Sequence, residues 1–379
     1  CLIEVNMNQT TDVAIIGGGV TGCAAAYYLS ELGASCTIVE STDIASYASG
    51  YAAGGLNPLE GYEIPGLLSE FAMKAYLMHL DLWDRLQSAT GINYHGRVLD
   101  LIKVCYDDTG LVALKKNKDI FQRASAHGFE ADLLSTADVL RLEPKVSETV
   151  VGGLHIHGNA GVDSYQFTRA LYQAATQNGS KTIIGNVDGF VVDSDQVTGI
   201  NINGDVLTCN TVVVATGPWT RATADYIGLV VPVNPLKGEI LRLRLKDGVI
   251  NYDLTDGDGS IYAKPDGLAW VGSTEEWQGF DLEVSDDARR KLWSSASKIV
   301  PELSEADVVL QTACLRPVTP DWLPILGLAT GWRNVFLNTG AGKKGILFGP
   351  AMGQATADLI VNGKSNIDIS MFLMDRFQD

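Results

Sequence analysis

An α/β fold, in which a parallel helix-covered sheet is interleaved with a second, mostly antiparallel α+β domain, is predicted by three observations. The first is a strand–turn–helix–strand unit near the N-terminus with glycines at its turn. The second is a run of short alternating strands leading into a buried strand that ends in Ala215-Thr216-Gly217. The third is a strand-rich stretch, 227–274, lying between these segments and a glycine-rich C-terminal part. At about 150 residues per domain, 379 residues suggest two or three domains.

The elements follow in chain order. Asp12–Ile16 is an apolar run suited to a buried parallel strand, and Cys23–Leu32 is an alanine-rich helix stopped by Gly33. Cys36–Val39 is the next buried strand and Glu40 ends it. Between the first strand and the helix, Gly17, Gly19 and Gly22 make G-x-G-x-x-G, which also takes in Val20 and Thr21. This is the Rossmann-like dinucleotide pattern: the glycines permit the turn and let N–H groups approach a pyrophosphate at the helix N-terminus. Glu40 can accept hydrogen bonds from ribose hydroxyls and would repel a 2′-phosphate, which favours FAD or NAD over NADP.

Ser46–Leu59 is rich in small residues, and Glu70–Gly91 has helical spacing. Helices are also expected over Phe121–His127 and over Ser135–Leu142, where Ser135 is the N-cap and Pro144 breaks the pattern. Asp163-Ser164 caps a helix through Ala175 that ends at Asn178-Gly179. Strands follow at Phe190–Val192, Val197–Ile202 and Thr211–Ala215, then at Gly238–Leu245, Ser260–Lys264 and Leu268–Gly272. Asp286–Val300 is an amphipathic helix, Val335–Leu337 a strand, and the last helix runs from about Pro350 to Val361 before Asn362-Gly363.

Composition excludes several classes. With 46% hydrophobic and 19% charged residues the chain can bury a sizeable core and is not a disordered polymer. Its 28 basic against 45 acidic residues leave a net charge of −17, which argues against nucleic acid and against electrostatic docking on an anionic membrane. Six scattered cysteines without C-x-x-C predict neither a zinc site nor a disulfide scaffold, as in a reduced, cytoplasmic chain. His155 and His157 share a strand face but lack a third ligand, so no metal is expected. No apolar run reaches the ~18 residues of a membrane span. Cys1–Gln9 carries no signal-peptide pattern, and Met7 is a candidate natural start.

Five stretches together resemble the FAD-dependent glycine oxidase and D-amino-acid oxidase family, which includes D-amino-acid dehydrogenases and sarcosine oxidase. They are the first βαβ unit, Ala52-Ala53-Gly54, Val212–Trp219, Pro235-Leu-Lys-Gly-Glu239, and Ala313-Cys-Leu-Arg-Pro317 through Gly349. The resemblance implies an FAD domain over 8–85, 150–220 and 315–379, and a substrate domain over 86–149 and 221–314. It implies that Gly17, Gly19 and Gly22 face the pyrophosphate, Glu40 with Ser41 the adenosine ribose, and Val187 the adenine. Ala52, Ala53 and Gly54 would pass close to the flavin, with Thr216, Gly217 and Trp219 also at the cofactor. Gly342, Lys344, Gly345 and Ile346 would border its pyrimidine end, where a helix N-terminus favours negative charge. Tyr262 and Arg316 fall where relatives hold the substrate carboxylate. Lys343 stands where glycine oxidase has an arginine, and Gly55 where it has a larger residue.

The implied activity is oxidation of the C–N bond of a small amino acid or amine (glycine, sarcosine, a D-amino acid or a proline-like substrate). Hydride passes to flavin N5, and the imine hydrolyses to a 2-oxo acid or aldehyde. Three readings stay open: an oxidase using O2, a dehydrogenase passing electrons to quinone or a protein and peripheral to the membrane, and a non-catalytic flavin subunit. Homo-oligomerisation is also left open.

Overall fold

A computed structural model describes residues 9–377; the readings made for Cys1 and Met7 lie outside them. Two sheets organise the chain. In the first, Thr10–Ile16 lies parallel between Cys36–Glu40 and Asp205–Val214, and the sheet continues with Lys181–Ile184 beyond one edge and Val335–Thr339 beyond the other. Val187–Asp193 and Gln196–Ile202 form the meander that returns antiparallel into Asp205–Val214. The strands at the centre of this sheet are buried, Ala14, Ile15, Val212, Val213 and Val214 completely. Continuous apolar runs therefore mark it, because helices cover its faces.

The helix Val20–Glu31 is buried almost all round, with Ala24, Ala25 and Ala26 fully inaccessible. It lies against the last helix, Gly345–Asn362. A Cβ on Gly353 would stand 2.5 Å from the Ala24 Cβ, and one on Gly349 would stand 2.7 Å from Val20. Glycines four residues apart meet Val20 and Ala24, also four apart, so the two backbones approach closely. The N-termini of both helices thereby line one cavity.

The last helix begins five residues earlier than Pro350 suggests. Proline inside a helix leaves the carbonyl four residues back without a donor. Here that carbonyl belongs to Ile346, and it accepts from Nε2 of His79, 2.9 Å away. His79 is wholly buried on the helix Ser69–Thr90, which packs over the last helix. Burial depresses its pKa from 6.5 to about 4, against the opposing pull of the carbonyl, so it is a neutral donor near pH 7.

The second sheet is antiparallel except where Asp253–Thr255 lies parallel to Arg97–Cys105. Its strands Asn234–Arg244 and Asp307–Val318 pair over most of their length. Gly152–Gly161, expected with the nucleotide-binding segments, instead pairs here with Arg97–Cys105 and Glu130–Ser135. Arg97–Cys105 was not foreseen, since its faces are both partly buried and its sequence does not alternate cleanly. The helix expected at Phe121–His127 is the end of a longer one, Asp108–Arg123, anchored by the fully buried Phe121 and followed by a short 3-10 turn. Ser135 caps Thr136–Leu142 through a reciprocal capping box with Asp138, and Asp163 caps Ser164–Gln177.

Cys23, Cys36, Cys105, Cys209 and Cys314 are free and buried. His155 and His157 share one carboxylate, Asp100, at 2.9 and 3.0 Å. Among the described residues no helix is long and apolar enough to cross a membrane, and no His/Cys/Asp/Glu group could hold a metal.

Replacing His79 by leucine leaves the Ile346 carbonyl buried and unpaired, at an expected cost of about 1–3 kcal/mol in denaturant unfolding. Because the folded state depresses the His79 pKa, the wild type is favoured above pH 6.5 and loses that advantage as pH falls towards 4. The stability gap between wild type and variant should therefore narrow across that window, as read by thermal melts at each pH.

Candidate active site

The cavity holds about 1150 Å3 and runs between the two sheets. At one end the chain turns at Gly17, whose φ is +111°. A Cβ there would stand 2.4 Å from the Ala215 carbonyl oxygen, so only glycine joins the first strand to the helix beside Ala215. Gly22 differs from expectation: it does not line the cavity but lies under the turn, where a Cβ would stand 2.1 Å from the Gly17 oxygen. Gly19, Val20 and Thr21 do line it. Gly19 offers no side-chain cap, and Ser49 Oγ accepts from Val20 N at 2.9 Å in its place. Thr21 is tied to Asn338, which belongs to Val335–Thr339.

Glu40 braces the same turn. Its Oε2 accepts from Gly18 N at 2.7 Å, and its Oε1 accepts from Ser41 Oγ and Thr42 N, both at 3.0 Å. Ser41 and Val187 face the cavity beside it. Thr216, Gly217 and Trp219 form a further stretch of wall. Gly217, at φ +53°, presents a carbonyl held by Thr220 and Thr339 hydroxyls, and Trp219 packs on Tyr47 with ring centres 4.8 Å apart.

Ala52-Ala53-Gly54 is pinned at all three carbonyls. Ser164 Oγ donates to Ala52, Lys264 Nζ to Ala53, and Val162 N to Gly54. Ser164 and Lys264 therefore hold the strip in place, a role not visible in the sequence. Lys264 lies among buried partners: burial lowers its pKa to about 8 against the attraction of Asp253, while burial raises Asp253 to about 6. Asp253 also accepts from Ala263 N at 2.8 Å. Tyr262 projects beside this pair, and burial, then the Asp253 charge, pushes its hydroxyl up.

Arg316 and Tyr262 enter the cavity from neighbouring parts of the second sheet. Arg316 lies across Gly238, where a Cβ would fall within 2.0–2.3 Å of the guanidinium. Glycine at 238 is therefore the floor on which the arginine rests. Its Nη1 donates to Thr274 O at 3.1 Å and its Nη2 to Ser273 Oγ at 2.6 Å, and no carboxylate among the described residues pairs with it. The Tyr262 ring faces Gly55, where a Cβ would lie 3.5 Å from Cε1.

The two lysines before the last helix part company. Lys343 is 45% exposed, ion-pairs with Glu275 and lies over the Trp322 ring at 5.3 Å. Lys344 turns inward and donates to the Asn57 carbonyl at 2.7 Å. Burial depresses its pKa to about 8, offset by Glu60 and reinforced by Lys343. The deeper cation is thus Lys344, while Lys343 stays partly exposed beside Glu275. Gly342, at φ +52°, Gly345 and Ile346 line the cavity with it.

These residues fit an extended flavin dinucleotide. A glycine turn at a helix N-terminus suits the pyrophosphate, Glu40 and Ser41 suit a ribose, and the pinned Ala52–Gly54 strip with the last helix's N-terminus suits a flat ring. A family model described as "FAD dependent oxidoreductase" (DAO) matches residues 12–359. The glycine oxidase of Geobacillus kaustophilus is 27% identical over 98% of both chains. The D-amino acid dehydrogenase of Xanthobacter autotrophicus is 28% identical over 97% of this chain and 99% of its own. The bifunctional protein ThiO/ThiG of Nostoc sp. is 30% identical over 98% of this chain, which spans 56% of that protein's length. A crystal structure of glycine oxidase from G. kaustophilus superposes with a TM-score of 0.90 at 26% identity, covering 98% of this chain and all of the other. The chain belongs to the DAO family of FAD-dependent oxidoreductases, and FAD is its cofactor.

Since Glu40 braces Gly18 within the protein itself, Glu40→Ala should lower the melting temperature of the FAD-stripped chain as well as its FAD retention. Unchanged melting of the stripped protein, measured by circular dichroism, would contradict the brace.

Proposed function

We propose that the chain oxidises the Cα–N bond of an amino acid whose carboxylate is held by Arg316 and Tyr262. The observation that carries this is the unpaired guanidinium of Arg316, set on Gly238 and opening into the cavity bordered by Ala52–Gly54. Arginine presents a planar fork suited to a carboxylate, and the Tyr262 hydroxyl adds a third hydrogen bond that fixes orientation. Its raised pKa keeps that hydroxyl protonated and able to donate.

FAD supplies the two-electron acceptor that takes hydride from the substrate carbon. The chain's own residues orient that carbon: the pinned Ala52–Gly54 strip fixes one wall, and Arg316 with Tyr262 anchors the substrate's acid end. The lone pair of the neutral amine drives hydride off its carbon and leaves an iminium cation, so no protein base is obligatory, and water then hydrolyses that iminium. A neutral substrate amine becomes an oxo compound and ammonia or a smaller amine.

The named relatives include both an oxidase and a dehydrogenase, so either O2 or another acceptor, a quinone or a protein, fits the reading. Gly55 leaves room beside Tyr262 for substrates bulkier than glycine. Lys343, paired with Glu275 at the mouth, is placed to tune electron delivery to the acceptor. Lys343→Met should alter either the flavin's reduction potential or its reoxidation rate; if both stay at wild-type values, Lys343 is an entrance residue without redox influence.

Anaerobic mixing of the yellow protein with glycine, sarcosine, proline and D-amino acids should bleach the flavin with at least one of them, whereas bleaching by none points to a non-catalytic flavin subunit. Admission of air then separates oxidase from dehydrogenase. Arg316→Leu should weaken amino acids roughly 10- to 150-fold in KM or more, the loss of a charge-assisted pair, while FAD stays bound and simple amines lose far less. Equal losses for both substrate types would remove the carboxylate role.

A further inference from the structure

Lys344 is a buried cation that no carboxylate of the described residues pairs with directly. Lys103 Nζ ion-pairs with Glu60 and also donates to Asn117 Oδ1 at 2.8 Å. The other Glu60 oxygen accepts from Asn57 Nδ2 at 3.0 Å. Glu60 is therefore engaged at both oxygens, and Lys343 outside is engaged by Glu275. Lys344 is left with one backbone carbonyl and no ion-paired carboxylate among the described residues. Within the cluster of Lys344, Lys103 and Glu60, two ammonium groups stand against one carboxylate, a net charge of +1.

All of these groups line the cavity that holds Arg316 and Tyr262. The spacing is short. Gly55 faces the Tyr262 ring, and Lys344 is bonded to the carbonyl of Asn57, two residues further along. An extended chain advances at most about 3.3–3.6 Å per residue, so these two backbone points lie within about 7 Å of each other. A buried ammonium with no counter-ion is costly, and an anionic ligand group relieves that cost. The chain is strongly acidic, at −17 overall, which makes a buried lysine without a paired carboxylate a local exception.

We propose that Lys344, with Lys103 and Glu60 behind it, forms a second anion subsite, so that the preferred substrate is an amino acid or amine bearing a second carboxylate. The proposal rests on the carboxylate role of Arg316 given above. Arg316 takes one acid group, Lys344 the other, and the oxidised C–N bond lies between them. Substrates of this class are short: acidic amino acids, or secondary amines with two carboxymethyl arms.

The test has a binding arm and a reaction arm, both on the FAD-loaded protein. In the binding arm, succinate, glutarate and acetate are titrated against the flavin absorbance. The dicarboxylates should bind at least tenfold more tightly than acetate. Lys344→Met should erase that advantage, while Glu60→Gln, which raises the cluster to +2, should enlarge it. In the reaction arm, iminodiacetate, D-aspartate and D-glutamate are compared with sarcosine and D-alanine in anaerobic flavin reduction. Lys344→Met should weaken the diacids roughly 10- to 150-fold and the monoacids less than about threefold. Equal affinity for mono- and dicarboxylates overturns the subsite, as does an equal loss for both classes on Lys344→Met, which would assign the lysine to the flavin instead. If dicarboxylates bind preferentially but no amine or amino acid reduces the flavin, the subsite stands and the oxidation reading fails. Glu60→Gln keeps the question decidable should Lys344→Met fail to retain FAD.

Discussion

Segments of chain as far apart in sequence as Gly17 and Ala215 meet at one turn, and nearly everything about the site follows from that meeting. The turn has room for no Cβ: the Ala215 carbonyl would stand 2.4 Å from it, and Gly22 closes from below. Glu40 ties the turn to the second strand through Gly18, and Ser49 caps the helix that leaves it. That helix then meets the last helix through Gly349 and Gly353 so closely that both N-termini open on one cavity. A side chain at any of these glycines would push apart the elements that make the cavity's walls.

Burial also decides where charge resides. The chain places Lys264, Asp253, Lys344, Lys103 and Glu60 around the cavity, where an unpaired charge is expensive. Lys264 and Asp253 moderate each other and the lysine is further tied to the Ala53 carbonyl; Lys103 and Glu60 form an ion pair. Arg316 is held only by neutral acceptors, and Lys344 only by a carbonyl. These two cations are therefore the groups with most to gain from an anionic ligand. Exposed surface pairs such as Arg290 with Asp287 carry no comparable information, because water screens them.

The helices show how a local irregularity is absorbed by distant structure. Pro350 denies the last helix one hydrogen bond, and a histidine 267 residues away in sequence from Ile346 supplies the missing donor. That donor is a neutral imidazole near pH 7, because burial disfavours the charged form. The start of the last helix, and with it Gly342–Ile346 at the cavity, depends on a residue in a different segment.

Short-range patterns were sufficient for the first βαβ unit, the Glu40 position, the caps at Ser135 and Asp163, and the alternation of the meander, because each is set by neighbours within a few residues. Arg316 and Tyr262 stand out in the sequence through the stretches that carry them, and Gly238 of Pro235–Glu239 lies directly beneath Arg316. Tertiary structure alone decided that Gly152–Gly161 joins the antiparallel sheet, since a strand's partners depend on which edge the fold leaves open. It decided that Pro350 lies inside a helix, since the orphaned carbonyl's donor is remote. And it decided which of two adjacent lysines turns inward: Lys343 meets Glu275 at the mouth while Lys344 meets Asn57 within, partners that adjacent positions in the sequence cannot distinguish.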